Sequence, residues 1–227
     1  MEKVFIERAD ALRGLAESGV SNAQFALGLM YEIGEGVAAD IDQAVKWYGK
    51  AAEQGHVQAQ YNLALIHTCD KWEDMALAAK WFRAAAEQGH AKSQYNLACL
   101  YGLGDGVKQD FAAARAWFLK AAEQGLTDAQ FSLGGMHLEG EGVKQDSAAA
   151  VEWYRKAAEG GHVDAQFNLG VMYEAGEGVE QDLAEAAKWY RKAAAQGHKL
   201  ACIHPARGRG YVPRRIGRGQ PHGPAVG

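Results

Sequence analysis

The sequence predicts an all-α fold in which five pairs of helices stack on one another as a solenoid. Three observations predict it: a regular spacing of glycines, an Asp at the start of every second helix, and a Trp at the same point of each segment. The glycines that close the segments stand at positions 19, 55, 89, 125, 161 and 197, so the intervals are 36, 34, 36, 36 and 36 residues. Such a period is typical of stacked helix pairs.

The predicted second helix of each segment has recognisable ends. An Asp stands where it begins, and its carboxylate can accept hydrogen bonds from the free N–H groups of the first turn. The closing glycine suits a left-handed C-terminal cap, and the Ala-rich stretch between them favours helix. The five predicted N-caps are Asp40, Asp74, Asp110, Asp146 and Asp182.

The two helices of a segment are joined by a Gly-x-Gly loop in four of the five segments, as in Gly176-Glu177-Gly178. We interpret it as a tight helix connector that needs positive φ. A nucleotide-binding loop is rejected because no strand precedes any copy and the pattern recurs four times. The second segment carries Cys69-Asp70-Lys71-Trp72-Glu73 there and is two residues shorter.

One side of each first helix repeats its chemistry and is therefore predicted to pack. A Leu recurs there, followed by Gly or Ala and, one turn later, by Tyr or His. The second helices add a Trp at a fixed position, and aromatic residues dominate core energetics. The leucines are Leu27, Leu63, Leu97, Leu133 and Leu169, and the tryptophans are Trp47, Trp81, Trp117, Trp153 and Trp189.

The other side of the first helices changes from segment to segment, which predicts either solvent exposure or a binding groove. Asparagines there would bond a partner's backbone, and aromatic and aliphatic residues would supply apolar contact. The alternative role is packing and bonding between neighbouring helices. The candidate residues are Phe25, Leu29, Tyr61, Asn62, Leu65, Tyr95, Asn96, Cys99, Phe131, Ser132, Phe167, Asn168 and Val171, with Trp72 of the shortened loop as a partner anchor or a plug over a local core.

The predicted boundaries are a capping half-repeat over 1–19, five repeats over 20–55, 56–89, 90–125, 126–161 and 162–197, and a Gly-, Pro- and Arg-rich tail over 198–227. The net charge of −4 is unevenly distributed, since the tail holds six Lys and Arg and none of the 28 acids. An acidic array is a poor nucleic-acid groove. The tail composition predicts disorder. With neither a signal-peptide core nor a long apolar run, the sequence predicts a cytoplasmic protein that spans no membrane.

The repeated residues resemble the Sel-one-like repeat family, a relative of tetratricopeptide repeats. The pattern in the last segment is Ala165-x3-Leu169-Gly170-x2-Tyr173-x2-Gly176-x-Gly178-Val179-x2-Asp182-x3-Ala186-x2-Trp189-x3-Ala193-Ala194-x2-Gly197. The resemblance implies antiparallel helix pairs in a right-handed superhelix whose first helices line the inner face. It also implies a scaffold or adaptor that binds a protein or peptide there.

Function is therefore predicted as a non-enzymatic scaffold with no cofactor and no metal, because no His-x3-His or Cys-x2-Cys pattern occurs. Two alternatives stay open. Cysteine-rich secreted relatives are linked to β-lactam binding and hydrolysis, although they carry a cysteine pair in each unit and this chain does not. The basic tail could bind nucleic acid or an acidic surface.

Overall fold

A computed structural model describes residues 12–69 and 73–203. Described residues 12–17 are helical, and no strand occurs in the described part of the chain. The predicted all-α fold class, a solenoid of helix pairs, is confirmed. The helices that follow are α1 (Ser21–Ile33), α2 (Ile41–Glu53), α3 (Val57–Ile66), α4 (Met75–Glu87), α5 (Ala91–Leu103), α6 (Phe111–Glu123), α7 (Thr127–Glu139), α8 (Ser147–Glu159), α9 (Val163–Ala175), α10 (Leu183–Ala195) and α11 (Lys199–Ile203).

The described residues divide into two compact units. The first contains residues 12–69, 73–97 and 105–107, and the second contains residues 98–104 and 108–203. In the first unit each helix from α1 to α4 packs against the next along the chain, and in the second unit the same holds from α6 to α11. Within each unit the helices therefore pack against their neighbours along the chain, as nearest-neighbour stacking requires.

The helix ends are formed as predicted. The carboxylate of Asp110 accepts from the N–H of Ala113 at 2.9 Å, and that of Asp146 accepts from Ala149 at 3.0 Å. Asp40, Asp74 and Asp182 cap α2, α4 and α10 in the same way. All six closing glycines have φ between 83° and 97°, a range that side chains other than glycine rarely adopt.

The core consists of the residues that recur. The five repeated leucines are buried, which confirms that this side of each first helix packs. The tryptophans are split: Trp47 and Trp189 are buried, and the other three are half-buried. Over Trp117 and Trp153 a lysine one turn later covers the ring, as Lys120 does at 4.0 Å from the centroid of Trp117, and over Trp81 the preceding residue, Lys80, does so.

Glutamines join each first helix to the preceding repeat, and sequence analysis missed them. The side chain of Gln166 donates to the carbonyl oxygen of Ala158 at 3.1 Å and accepts from Gln196 Nε2 at 2.9 Å. The bond to the preceding second helix recurs with Gln24, Gln60, Gln94 and Gln130. The sequence feature that indicates these bonds is a Gln that recurs every 34 or 36 residues. These bonds satisfy carbonyl groups at the buried ends of the second helices.

Candidate partner-binding face

The candidate face is the side of the first helices whose residues change between repeats. In the first unit it is carried by α1 and α3, and in the second unit by α7 and α9. We call it the first-helix face and describe it in each unit separately. Trp72 of the shortened loop, and the tail from residue 204 onward, lie outside the described residues.

The recurring aromatic residue of this face packs against the histidine that starts the next repeat. Phe131 stacks on His162 with ring centroids 4.5 Å apart and planes 14° apart. Phe25 stacks on His56, and Phe167 stacks on His198. Tyr61 meets His90 with tilted rings at 4.7 Å. These contacts match the packing role that the sequence left open for the aromatics.

Five of the predicted residues are buried and offer almost no surface to a partner. They are Tyr61, Leu65, Asn96, Phe167 and Asn168. Asn62 is half-buried, and its amide donates to the Tyr48 hydroxyl at 3.3 Å, so it bonds the second helix of the preceding repeat. Asn168 Oδ1 is buried with no hydrogen-bond partner. The predicted face is therefore narrower than the sequence suggested.

The predicted residues that keep exposed surface include one large apolar side chain. Leu29 is 38% exposed on α1, and Ile33, one turn later, is 58% exposed. Sequence analysis missed Ile33, although its position also changes between repeats, from Ile33 to Cys69 to Leu103. Half-buried members of the predicted set are Phe25, Asn62, Tyr95, Cys99, Phe131, Ser132 and Val171.

Another position that changes between repeats holds Glu32 in the first repeat and Glu174 in the fifth, and there it forms a hydrogen bond inside the repeat. The Tyr48 hydroxyl donates to a carboxylate oxygen of Glu32, and Tyr190 donates to Glu174 at 2.6 Å. Burial raises the pKa of Tyr48 and of Tyr190, and the neighbouring carboxylate raises each further. Both tyrosines therefore stay protonated and serve as permanent donors.

Two aspartates of the first-helix face, Asp128 and Asp164, lie close to the histidines that start the next repeat. His162 Nε2 lies 3.4 Å from Asp128 Oδ1, and His198 Nε2 lies 3.4 Å from Asp164 Oδ1. The other ring nitrogen of each histidine accepts a backbone N–H, so these residues are N-caps of α9 and α11. The histidines that follow the closing glycines thus have a structural role at the start of the next helix.

The described residues show no arrangement for metal binding. Across residues 12–69 and 73–203 no group of three or more His, Cys, Asp or Glu side chains is placed to hold a metal ion. In the same stretches no helix has the length and apolar character that a membrane crossing requires.

The sequence profile of the Sel1 repeat matches residues 21–56, 57–90, 91–126, 127–162 and 163–198. The chain belongs to the Sel1 repeat family. Sel1 repeats form the solenoid class described above, a fold typical of protein-interaction scaffolds. A comparison with curated proteins finds no significant match.

Two solved structures are similar over most of the chain. A protective antigen of uropathogenic Escherichia coli with an SLR fold is 42% identical with a TM-score of 0.81, covering 85% of this chain and 42% of its own length. A Sel1 repeat protein from Oxalobacter formigenes is 36% identical with a TM-score of 0.75, covering 81% of this chain and 74% of its own. This chain thus spans about two fifths of the Escherichia coli protein.

Proposed function

We propose that this Sel1 repeat protein is a non-enzymatic scaffold that binds a protein or peptide segment on its first-helix face. The supporting observation is the exposed apolar pair Leu29 and Ile33 on α1. These side chains lie one turn apart, and most side chains of this size in the repeats are covered. Adjoining exposed apolar side chains are a common feature of protein-interaction sites.

The neighbouring residues supply the rest of the proposed contact in the first unit. Phe25 and Asn62 are half-buried on the same side of α1 and α3. Glu32 lies between the two apolar anchors in the sequence and is half-buried. An apolar centre with a polar rim is the usual composition of an interface. In the second unit Ser132 and Val171 hold the corresponding positions on α7 and α9.

The proposal is tested with a matched pair of surface variants. Leu29→Glu combined with Ile33→Glu places charge on the first-helix face. Leu183→Glu places one glutamate at a residue that is 63% exposed at the start of a second helix, α10. We expect affinity capture followed by mass spectrometry to lose its specific partners with the first variant and to keep them with the second. Equal partner sets for wild type and both variants would reject the assignment of this face.

A further inference from the structure

A pocket in the second unit is lined by several charged side chains. It lies between α6 and the loop from α7 to α8, and its volume is about 530 Å³. Pockets that hold small molecules usually have volumes of roughly 300–1,000 Å³. Its lining consists of Arg115, His137, Val143, Lys144, Gln145 and Asp146.

Buried polar atoms without a hydrogen-bond partner occur in the residues that line this pocket and in the loop beside it. Arg115 Nε and His137 Nδ1, from two lining residues, and Oε2 of Glu141 in the adjoining loop are all buried and make no hydrogen bond within the described structure. Folded proteins pair most buried polar atoms, because an unpaired one costs stability. The Nε–H of Arg115 is a donor that an oxygen of a bound ligand could accept from, whereas the carboxylate oxygen of Glu141 would need a donor.

The next repeat differs in sequence and hydrogen bonding at the equivalent place. There Arg155 donates to the hydroxyl of Tyr173 at 2.7 Å. One repeat earlier the same two positions hold Leu119 and His137, so this bond cannot form. Arg115 stands at a position that is Val45, Ala79, Val151 or Ala187 in the other repeats. Arg115 lies in the third repeat and His137 and Lys144 lie in the fourth, and this combination occurs once among the five repeats.

The charges around the pocket decide the class of ligand. The guanidinium of Arg115 and the ammonium of Lys144 are suited to an oxyanion. Asp146 lines the same pocket and Glu141 lies in the adjoining loop, so two acids offset the two cations and the pocket has little net charge to hold a multiply charged anion. Burial lowers the pKa of His137, Arg115 lowers it further, and Asp146 opposes the shift. A neutral imidazole can hydrogen-bond the uncharged part of a ligand.

We propose that this pocket binds a small carboxylate, with Arg115 and Lys144 contacting its oxygens and His137 contacting the rest of the molecule. The site is separate from the first-helix face and does not depend on the scaffold function. The probe is acetate, added to the full chain in place of chloride at constant ionic strength. The ring signals of His137 are followed by NMR and identified by their loss in His137→Gln.

We expect a saturable shift of the His137 signals in the millimolar range. His67 is the internal control, because it occupies the matching position with Val45 where His137 has Arg115. Its signals should not move. Arg115→Val introduces the residue that two other repeats carry at this position, so the variant should fold. We expect it to weaken acetate binding by about tenfold or more through loss of a charge-assisted bond.

A second matched pair tests the lysine. Lys144→Ala should weaken acetate binding, whereas Lys108→Ala, at the same position one repeat earlier, should leave it unchanged. The proposal is overturned if the His137 signals do not respond, if acetate binds Arg115→Val as well as wild type, or if both lysine variants behave alike. Tighter binding of inorganic phosphate than of acetate would also overturn the assigned ligand class.

Discussion

At the scale of single residues, one position on each first helix must be small because an aromatic ring of the second helix packs against it. A Cβ atom added to Gly134 would lie 2.6 Å from the ring of Tyr154, and the same holds at Gly28 against Tyr48. Gly170 faces Tyr190 in the same way. The two repeats that carry Phe in place of this Tyr carry Ala in place of the Gly, at Ala64 and Ala98. The glycines are therefore required for close approach to a tyrosine.

Two adjacent glycines on α7 test this packing. Gly134→Ala should lower the free energy of unfolding by about 1–3 kcal/mol, because the methyl group overpacks against Tyr154. Gly135 is the control, since a Cβ there would lie 3.7 Å from the nearest atom, the Tyr154 hydroxyl oxygen, at ordinary contact distance. Gly135→Ala should raise the free energy of unfolding by about 0.5–1 kcal/mol through better helix propensity. Urea unfolding of both variants gives the measurement.

The pairing of Gly with Tyr and of Ala with Phe extends the same test. If the two positions are energetically coupled, adding Tyr154→Phe to Gly134→Ala should recover part of the stability that Gly134→Ala loses. The reason is that a ring without a hydroxyl is free to shift. A double-mutant cycle measures this coupling. Strictly additive effects of the two substitutions would mean that the pairing in the sequence has no energetic basis.

At the scale of helices, the histidines at helix N-termini make the stability of the fold depend on pH. His56 caps α3 by accepting the N–H of Ala59 at Nδ1, which requires a neutral ring. Burial lowers the pKa of His56, and burial together with Lys92 lowers that of His90, whose Nδ1 accepts the N–H of Ser93. Because these folded pKa values lie below the unfolded one, the unfolded chain binds more protons as the pH falls.

This linkage predicts that stability is lost on the acid side of neutrality. The contribution of His56 is fully present above about pH 6.5, the unfolded pKa, and disappears as the pH falls through the lower folded pKa. His56→Asn keeps a capping acceptor that does not titrate, so its unfolding free energy should fall less between about pH 7 and pH 5. Leu126→Asn, which adds a cap to α7, should raise stability without changing the pH dependence. An unchanged slope in His56→Asn would contradict the prediction.

The helices also show what the sequence could and could not predict. Residues that repeat unchanged, such as Leu97 and Asp110, gave the core and the helix ends, because every repeat meets the same packing and capping requirement. Residues that change are predicted to face solvent or to line a binding groove, with packing between helices as the alternative. Glu32 and Glu174 show the weakness of that inference, since each bonds a tyrosine of its own repeat. The two repeats with Phe in place of that tyrosine carry Thr68 and Gly102 instead of the acid, although the fourth repeat keeps Tyr154 beside Leu138. A position can vary because its neighbour varies, and the sequence of one helix does not reveal this.

At the scale of the whole molecule, stability is expected to be distributed locally. Within each of the two compact units, the helices from α1 to α4 and from α6 to α11 pack against the next along the chain. In arrays of this kind the total stability is close to a sum of repeat terms and nearest-neighbour terms. A lesion in one repeat should therefore weaken that repeat and its neighbours more than the rest of the array.

Two equivalent core truncations test this expectation. Leu27 and Leu169 occupy the same repeat position and are both fully buried, the first in the first unit and the second in the second unit. Each change to Ala should cost about 2–5 kcal/mol locally. Amide hydrogen exchange should show lost protection in α1 and α2 for Leu27→Ala, and in α9 and α10 for Leu169→Ala, with protection in the opposite unit retained. If either variant instead lost protection evenly from α1 to α10, the chain would unfold as one cooperative body, and the nearest-neighbour description would be wrong for this protein.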